Sequence, residues 1–283
     1  MSFQQPFVSR RHCLQQLGAA ALAVGGLGSL ANAATLVKVR ERGVLNVGIY
    51  EAMPPFHVSG KGIDVELAQA LAKALEVKLA LMPFVADDNM NDDLRNMVWR
   101  GTVFGYGPAD VLMHVPVEQR LMDANPQVKV LAPYYRDRVM LARNLEQVPK
   151  LESMAALANQ RIAVAGISLS GWLMLGADGG AYKNQMITQW KDGAECAQAL
   201  LRGEFTVAGG MASELESVLR GNPKFAIEPM PTPRAPRDGW SAGLAVKSDA
   251  VDLAQALQTA MNQLSEQGKL REVFERHNVT WRG

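Results

Sequence analysis

The stretch from Gly43 to Phe84 constrains the fold more than any other part of the chain. Leu45-Asn46-Val47-Gly48-Ile49 alternates apolar with small or polar residues, the period-two pattern of a short strand. Met53-Pro54-Pro55-Phe56 ends it, because neither proline can donate to a ladder and each drives the residue before it toward extended backbone. Ile63, Leu67, Ala70, Leu71 and Leu75 then share one helical face, with Asp64 and Glu66 beside the positive N-terminus. Val77 to Phe84 reads as a second strand. Strand, loop, helix, strand is a βαβ unit, and ligands of such sheets sit outside the carboxyl ends of the strands. Tyr50 to Phe56 is that place, although an ordinary crossover whose loop binds nothing has the same spacing.

The chain has 283 residues, enough for one large or two medium domains, and 48% of them are hydrophobic, as a globular core needs. A net charge of +1 argues against a nucleic-acid groove or a polybasic membrane surface. Residues 1–33 read as an export signal: Arg10-Arg11 precedes an apolar run from Leu17 to Leu30, and Ala31-Asn32-Ala33 supplies a small-x-small cleavage site. The paired arginines point to twin-arginine export and a periplasmic location. Cys13 and Gln15 depart from that motif, so a Sec signal stays open. No cysteine follows the cut, which disfavours a lipid anchor, and no stable membrane anchor is expected. Cys196 is then the lone thiol, in a helical context without a neighbouring His or Cys, and reads as buried and structural. Asp87, Asp88, Asp92 and Asp93 lack EF-hand spacing and read as a solvated, helix-capping acidic turn. There is no P-loop, catalytic-triad or metal motif, so no cofactor and no metal are expected.

Several segments resemble the extracellular solute-binding proteins of the polar amino-acid type (family 3), the soluble receptors of ABC importers. Pro55-Phe56 followed by Gly62-Ile63-Asp64-Val65-Glu66-Leu67 is similar to the family's first loop and helix. Leu131-Ala132-Pro133-Tyr134-Tyr135-Arg136 resembles its F-S-x-P-Y-Y crossover segment. Leu151 to Leu157 resembles a helix, and Arg161 to Gly166 and Gly203 to Ala208 resemble strands of the second lobe. Asp238 to Val246 resembles the return crossover, and Asp249 to Leu264 with Gly268 to Phe274 the closing helices. The resemblance covers nearly all of the chain after the signal. It implies an α/β, two-lobed periplasmic-binding-protein fold (type II), each lobe a mixed sheet flanked by helices, with two crossover strands as hinge. Lobe one is expected at 34–138 plus 239–283, and lobe two at 139–238.

By order, the resemblance puts Glu51, Met53, Phe56, His114, Arg120, Ser168, Ser170 and Met211 at or near the ligand cleft. Arg120 keeps the place of the family's carboxylate-holding arginine, though a surface arginine fits as well. Ser168 and Ser170 suit either an anion at a helix N-terminus or a plain N-cap. The family's hydroxyl loop is replaced by His114-Val115-Pro116 and its stacking aromatic by Met53. The acidic residue that meets a ligand ammonium falls by order at Gly209-Gly210-Met211, with Glu214 the nearest carboxylate. Closing a cleft on an unpaired ammonium costs roughly 3 to 5 kcal/mol. The expectation is therefore a monomeric, non-enzymatic receptor working with an ABC permease, its ligand not an ordinary α-amino acid: a neutral solute, or a carboxylate lacking an amine. An alternative comes from the J-type accessory proteins of quinoprotein (methanol) dehydrogenases, which resemble the family and similarly lose its amino-acid-binding residues. Asp110 to Pro116 followed by Pro133-Tyr134-Tyr135-Arg136 is similar to their strand-to-crossover segment, making a periplasmic dehydrogenase the partner. A lesser alternative is a dehydratase-like enzyme on the same fold, for which Glu51 and His114 are the available acid–base groups.

Overall fold

The computed structural model describes residues 35–235 and 238–283, so the expected export signal at 1–33 lies outside the described residues. The first βαβ unit forms as its pattern requires: β1 (Val44–Tyr50), α2 (Ile63–Ala74) and β4 (Lys78–Phe84), preceded by a short helix α1 (Thr35–Arg42) that the sequence reading did not place. Between β1 and α2 the chain makes a two-stranded hairpin, β2 (Ala52–Met53) and β3 (His57–Val58). Gly62 follows it at φ 134°, where a side chain would collide with the Phe56 carbonyl, so this turn into α2 admits only glycine.

Two five-stranded sheets carry the molecule. The first has the order β4-β1-β5-β12-β6, with β5 at Val111–Pro116, β6 at Val128–Asp137 and β12 at Trp240–Lys247. The second has the order β11-β7-β10-β8-β9, with β7 at Val139–Asn144, β8 at Ile162–Val164, β9 at Met186–Ile187, β10 at Val207–Met211 and β11 at Phe225–Pro229. Only Arg138 separates β6 in one sheet from β7 in the other, and the segment from Pro229 to Trp240 returns the chain. These are the two crossovers of a hinged, two-lobed fold.

Both sheets are covered on both faces. On β5, Val111 and Met113 pack with α2 and the long helix α8 (Val251–Glu266), while Leu112 and Val115 face a second cluster with Leu94, Met97 and Val98. On β7, Val139 and Leu141 face one cluster and Met140 and Ala142 the other, where helices α6 (Gly193–Leu201) and α7 (Ala212–Leu219) pack. Apolar residues on both faces of single strands, alternating strictly along β7 and switching face after His114 on β5, make each lobe a three-layer α/β unit. The closing helix α9 (Lys269–Arg276) packs on α2, and Cys196 is fully buried in α6, with burial raising its thiol pKa.

Several local expectations change. His114, Val115 and Pro116 lie in strand β5, because Val115 and Pro116 pair with Gly243 and Ala242 of β12. Leu151 to Leu157 yields only a 3₁₀ turn at Met154–Leu157, in which Met154 and Leu157, three apart, are buried and Leu151 packs against the same cluster from outside the turn. The second-lobe strand starts at Val207 and runs on through Gly209-Gly210-Met211, where pairing with β7 along its whole length, and with β8 as far as Gly209, outweighs the glycines' poor strand propensity. The acidic turn is not all solvated. Asn89, not an aspartate, caps the short helix α3 (Met90–Leu94), and Asp93 is buried, receiving the Tyr50 hydroxyl and the Asp87 N–H.

Candidate functional site

The carboxyl ends of the first-lobe strands meet the second lobe at a cavity of about 220 Å³. That is room for roughly seven waters at about 30 Å³ each, so the space suits a small solute. Tyr50 comes from the end of β1, Met53, Pro54 and Phe56 from the hairpin, and Met90 from α3. His114 and Pro116 come from β5, Asp137 from the first crossover and Trp240 from the second. The second lobe supplies Met211, Ser213 and Glu214. Both lobes and both crossovers therefore share one wall.

Of the residues assigned by order, Met53, Phe56, His114 and Met211 come together here. Glu51 lines a larger cavity of about 600 Å³ on the first lobe, with Leu81, Pro83 and Phe84, which shares Tyr50 and Met53 with the smaller one. Ser168 is the N-cap of α5 (Leu169–Gly176): its hydroxyl accepts the Gly171 N–H, donates to the Ala165 carbonyl and contacts Ser170 Oγ. Arg120 stands exposed on α4 (Gln119–Ala124). Neither the serines nor Arg120 line this cavity, whose described lining holds no lysine or arginine at all.

His114 takes φ 61°, a left-handed backbone that costs a non-glycine residue of the order of 1–3 kcal/mol. Side-chain contacts hold it there. Its Nδ1 lies 3.2 Å from both Asp64 Oδ2 and Tyr134 Oη, and the Tyr134 hydroxyl donates to Asp64 Oδ1 at 2.7 Å. Phe56 packs on the imidazole with ring centroids 4.1 Å apart. Asp64, read from sequence as a helix N-terminal charge, is thus a buried acceptor under the histidine, and burial beside it drives the Tyr134 pKa well up.

Glu214 lines the cavity although sequence order did not place it among the cleft residues. It sits in the first turn of α7 and folds back, its Oε2 accepting the Met211 N–H at 2.7 Å, with the Gly193 N–H also bonded to the carboxyl. A side chain on Gly193 would come within 2.3 Å of that oxygen, and one on Gly210 within 2.9 Å of Gly193 Cα and 3.1 Å of the same oxygen. Gly210, in the stretch that looked like a missing charge, and Gly193 together make room for a carboxyl arriving from one turn downstream. Burial pushes this carboxyl up to about 7, with Asp137 and Asp192 adding to the shift against the two N–H groups.

Asp137 is already engaged by three hydrogen bonds. It accepts the Ser213 hydroxyl and N–H and the Arg138 N–H, joining the first crossover to the start of α7, and burial raises its pKa also. The other side of α7 is held by the C-terminal tail: Glu216 pairs with Arg282 and accepts the Thr280 N–H, and Asn278 donates to the Glu216 carbonyl. The helix bearing Glu214 is fixed from both sides. Among the described residues no group of three or more His, Cys, Asp or Glu is placed to hold a metal ion, and no helix is long and apolar enough to cross a membrane.

No family model matches the chain. An L-cystine-binding protein of Escherichia coli K12, TcyJ, is 42% identical over 79 residues, which are 26% of this chain and 30% of that protein. The match therefore spans less than a third of the curated relative. Solved structures align along most of the chain. An ancestral cationic amino acid solute-binding protein aligns over 86% of this chain and 99% of its own, at 18% identity and a TM-score of 0.66. An amino-acid ABC transporter substrate-binding protein of Streptococcus pneumoniae bound to L-arginine covers 87% and 99%, at 19% identity and 0.60. The L-cysteine receptor of Neisseria gonorrhoeae covers 86% and 93%, at 18% identity and 0.54. The solved structures it resembles are thus amino-acid solute-binding proteins, and the chain has their two-lobed α/β fold.

Proposed function

We propose that this chain is an exported solute receptor that hands a small ligand to an ABC permease, and that the ligand is not an ordinary α-amino acid. The observation carrying this is the cavity walled by both lobes and both crossovers, where closure of a hinge would enclose a solute. Its chemistry separates it from an amino-acid site. A zwitterion needs a cation for its carboxylate as well as an anion for its ammonium, and the described lining supplies carboxyl groups but neither lysine nor arginine. The order-based reading placed the deficit at the ammonium. In this geometry the deficit is at the carboxylate, because Arg120 lies outside on α4.

Thermal melting of the purified protein against a solute panel tests the reading. A ligand at 100 times its dissociation constant adds about 2.7 kcal/mol of stability, a shift readily measured. None of the twenty common amino acids is expected to bind tighter than about 100 μM, near −5.5 kcal/mol, and calorimetric binding of one in the low micromolar range would refute that.

The accessory-protein reading has one specific support. Val103 and Phe104 on the first lobe and Ile167 and Trp172 on the second are large apolar side chains left exposed. Co-migration with a periplasmic quinoprotein dehydrogenase, together with silence across the solute panel, would favour it. The enzyme reading gains little, since Glu51 and His114 line different cavities.

A further inference from the structure

We propose, resting on the receptor reading, that the interlobe cavity takes a small organic cation without a carboxylate, an alkylamine or guanidine on an apolar body, with the Glu214 carboxylate as its counter-ion. The polar inventory of the wall leads there. Asp137 already accepts three hydrogen bonds, from the Ser213 hydroxyl and N–H and the Arg138 N–H. His114 Nδ1 is engaged by Asp64 and Tyr134, so any charge on that ring is matched by Asp64. Glu214 differs from both: among the described residues its carboxyl receives only backbone N–H groups and forms no ion pair, while it lines the cavity. A carboxyl held in place by its own backbone, with no cation facing it, leaves its charge for a ligand.

The rest of the wall suits the same guest. Tyr50, Phe56 and Trp240 offer aromatic surfaces to a cation, and Met53, Met90 and Met211 offer polarisable apolar ones. A ligand carboxylate would enter beside Glu214 and Asp137 with no guanidinium or ammonium to receive it. The groups facing Glu214 are Asp137 from the first crossover, Asp192 and Cys196 from the start of α6, and His114 on the opposite wall. All but His114 are acidic or neutral.

Matched sets of compounds decide the point by calorimetry. Each set holds an amino acid, its decarboxylated amine and the acid lacking the α-amino group, for example phenylalanine, phenethylamine and 3-phenylpropionate. Arginine with agmatine and lysine with cadaverine extend the series. At least one amine is expected to bind tenfold or more tighter than its parent and, where the set has one, than the matching acid. Glu214 is about one-eleventh ionised at pH 6 and about ten-elevenths at pH 8, so affinity for an amine charged throughout that range should rise about tenfold. Glu214→Gln should weaken the amine at pH 8 by tenfold or more and abolish the pH dependence. Glu214→Asp, which keeps the charge, should retain part of both and guards against a folding defect in the first variant. An acid binding tighter than the amine overturns the cation proposal and leaves the receptor reading standing; a parent amino acid binding tighter overturns the cation proposal and, in the low micromolar range, also the exclusion of ordinary amino acids, leaving only a solute receptor. Silence from every compound, amines included, overturns both.

Discussion

Replacing Glu214 by glutamine should make the protein more stable at alkaline pH while leaving it little changed in mild acid. Burial raises the Glu214 carboxyl to a folded-state pKa of about 7 against an ordinary 4.5. The native state binds the proton more tightly than the unfolded chain does, so this group's contribution to stability falls as pH rises from the unfolded pKa to the folded one. Integrating between pH 5 and pH 8 gives a loss of about 1.8 pKa units' worth, or about 2.5 kcal/mol at 1.36 kcal/mol per unit. Glutamine cannot ionise and keeps an oxygen to accept the Met211 N–H. Urea unfolding of the two proteins at pH 5, 6, 7 and 8 should therefore give a difference that moves by about 2.5 kcal/mol in favour of the variant. Contributions from other groups, including the raised Asp137 and Asp93, largely cancel in that difference. Parallel pH profiles for the two proteins would refute the argument. They would mean that the Glu214 carboxyl is solvated and titrates like a surface group.

Three more outcomes follow from the same geometry. Gly193→Ala and Gly210→Ala each force a side chain into the Glu214 pocket and should cost about 1–3 kcal/mol in urea unfolding, with Glu214's share of the pH dependence reduced. Tyr134→Phe removes the hydroxyl that donates to Asp64 and should cost about 1 kcal/mol or somewhat more, whereas Asp64→Ala, which takes the shared carboxylate from both the buried hydroxyl and the imidazole, should cost more than that in the same assay. Arg120→Ala should leave the affinity for any cleft ligand within twofold by calorimetry, since the side chain is exposed on α4 outside the cavity; a loss of tenfold or more would place it in the site.

Local pattern by itself determined the first βαβ unit. Apolar alternation at Leu45 to Ile49, the proline stop and the one-faced run from Ile63 to Leu75 are short-range signals that tertiary packing had no cause to override. The crossover at Tyr134-Tyr135-Arg136 and the closing helices were legible too, through a resemblance carried by contiguous motifs. What sequence order could not decide was which side chain fills which place in the cleft. It looked for an acid at Gly209 to Met211, because a strand end is where the chain passes the ligand; the carboxyl that lines the cavity beside Met211 belongs to Glu214, one helical turn on, in space left by Gly193 and Gly210. Gly193 lies on a different helix, so that space is a property of packing and not of spacing. The same holds for Arg120, whose place in order matched a cleft arginine. Because β5 continues to Pro116 in register with β12, the helix that follows carries Arg120 out into solvent. Backbone periodicity is written within a few residues, whereas the charge balance of a cavity depends on which distant segments the sheets bring together.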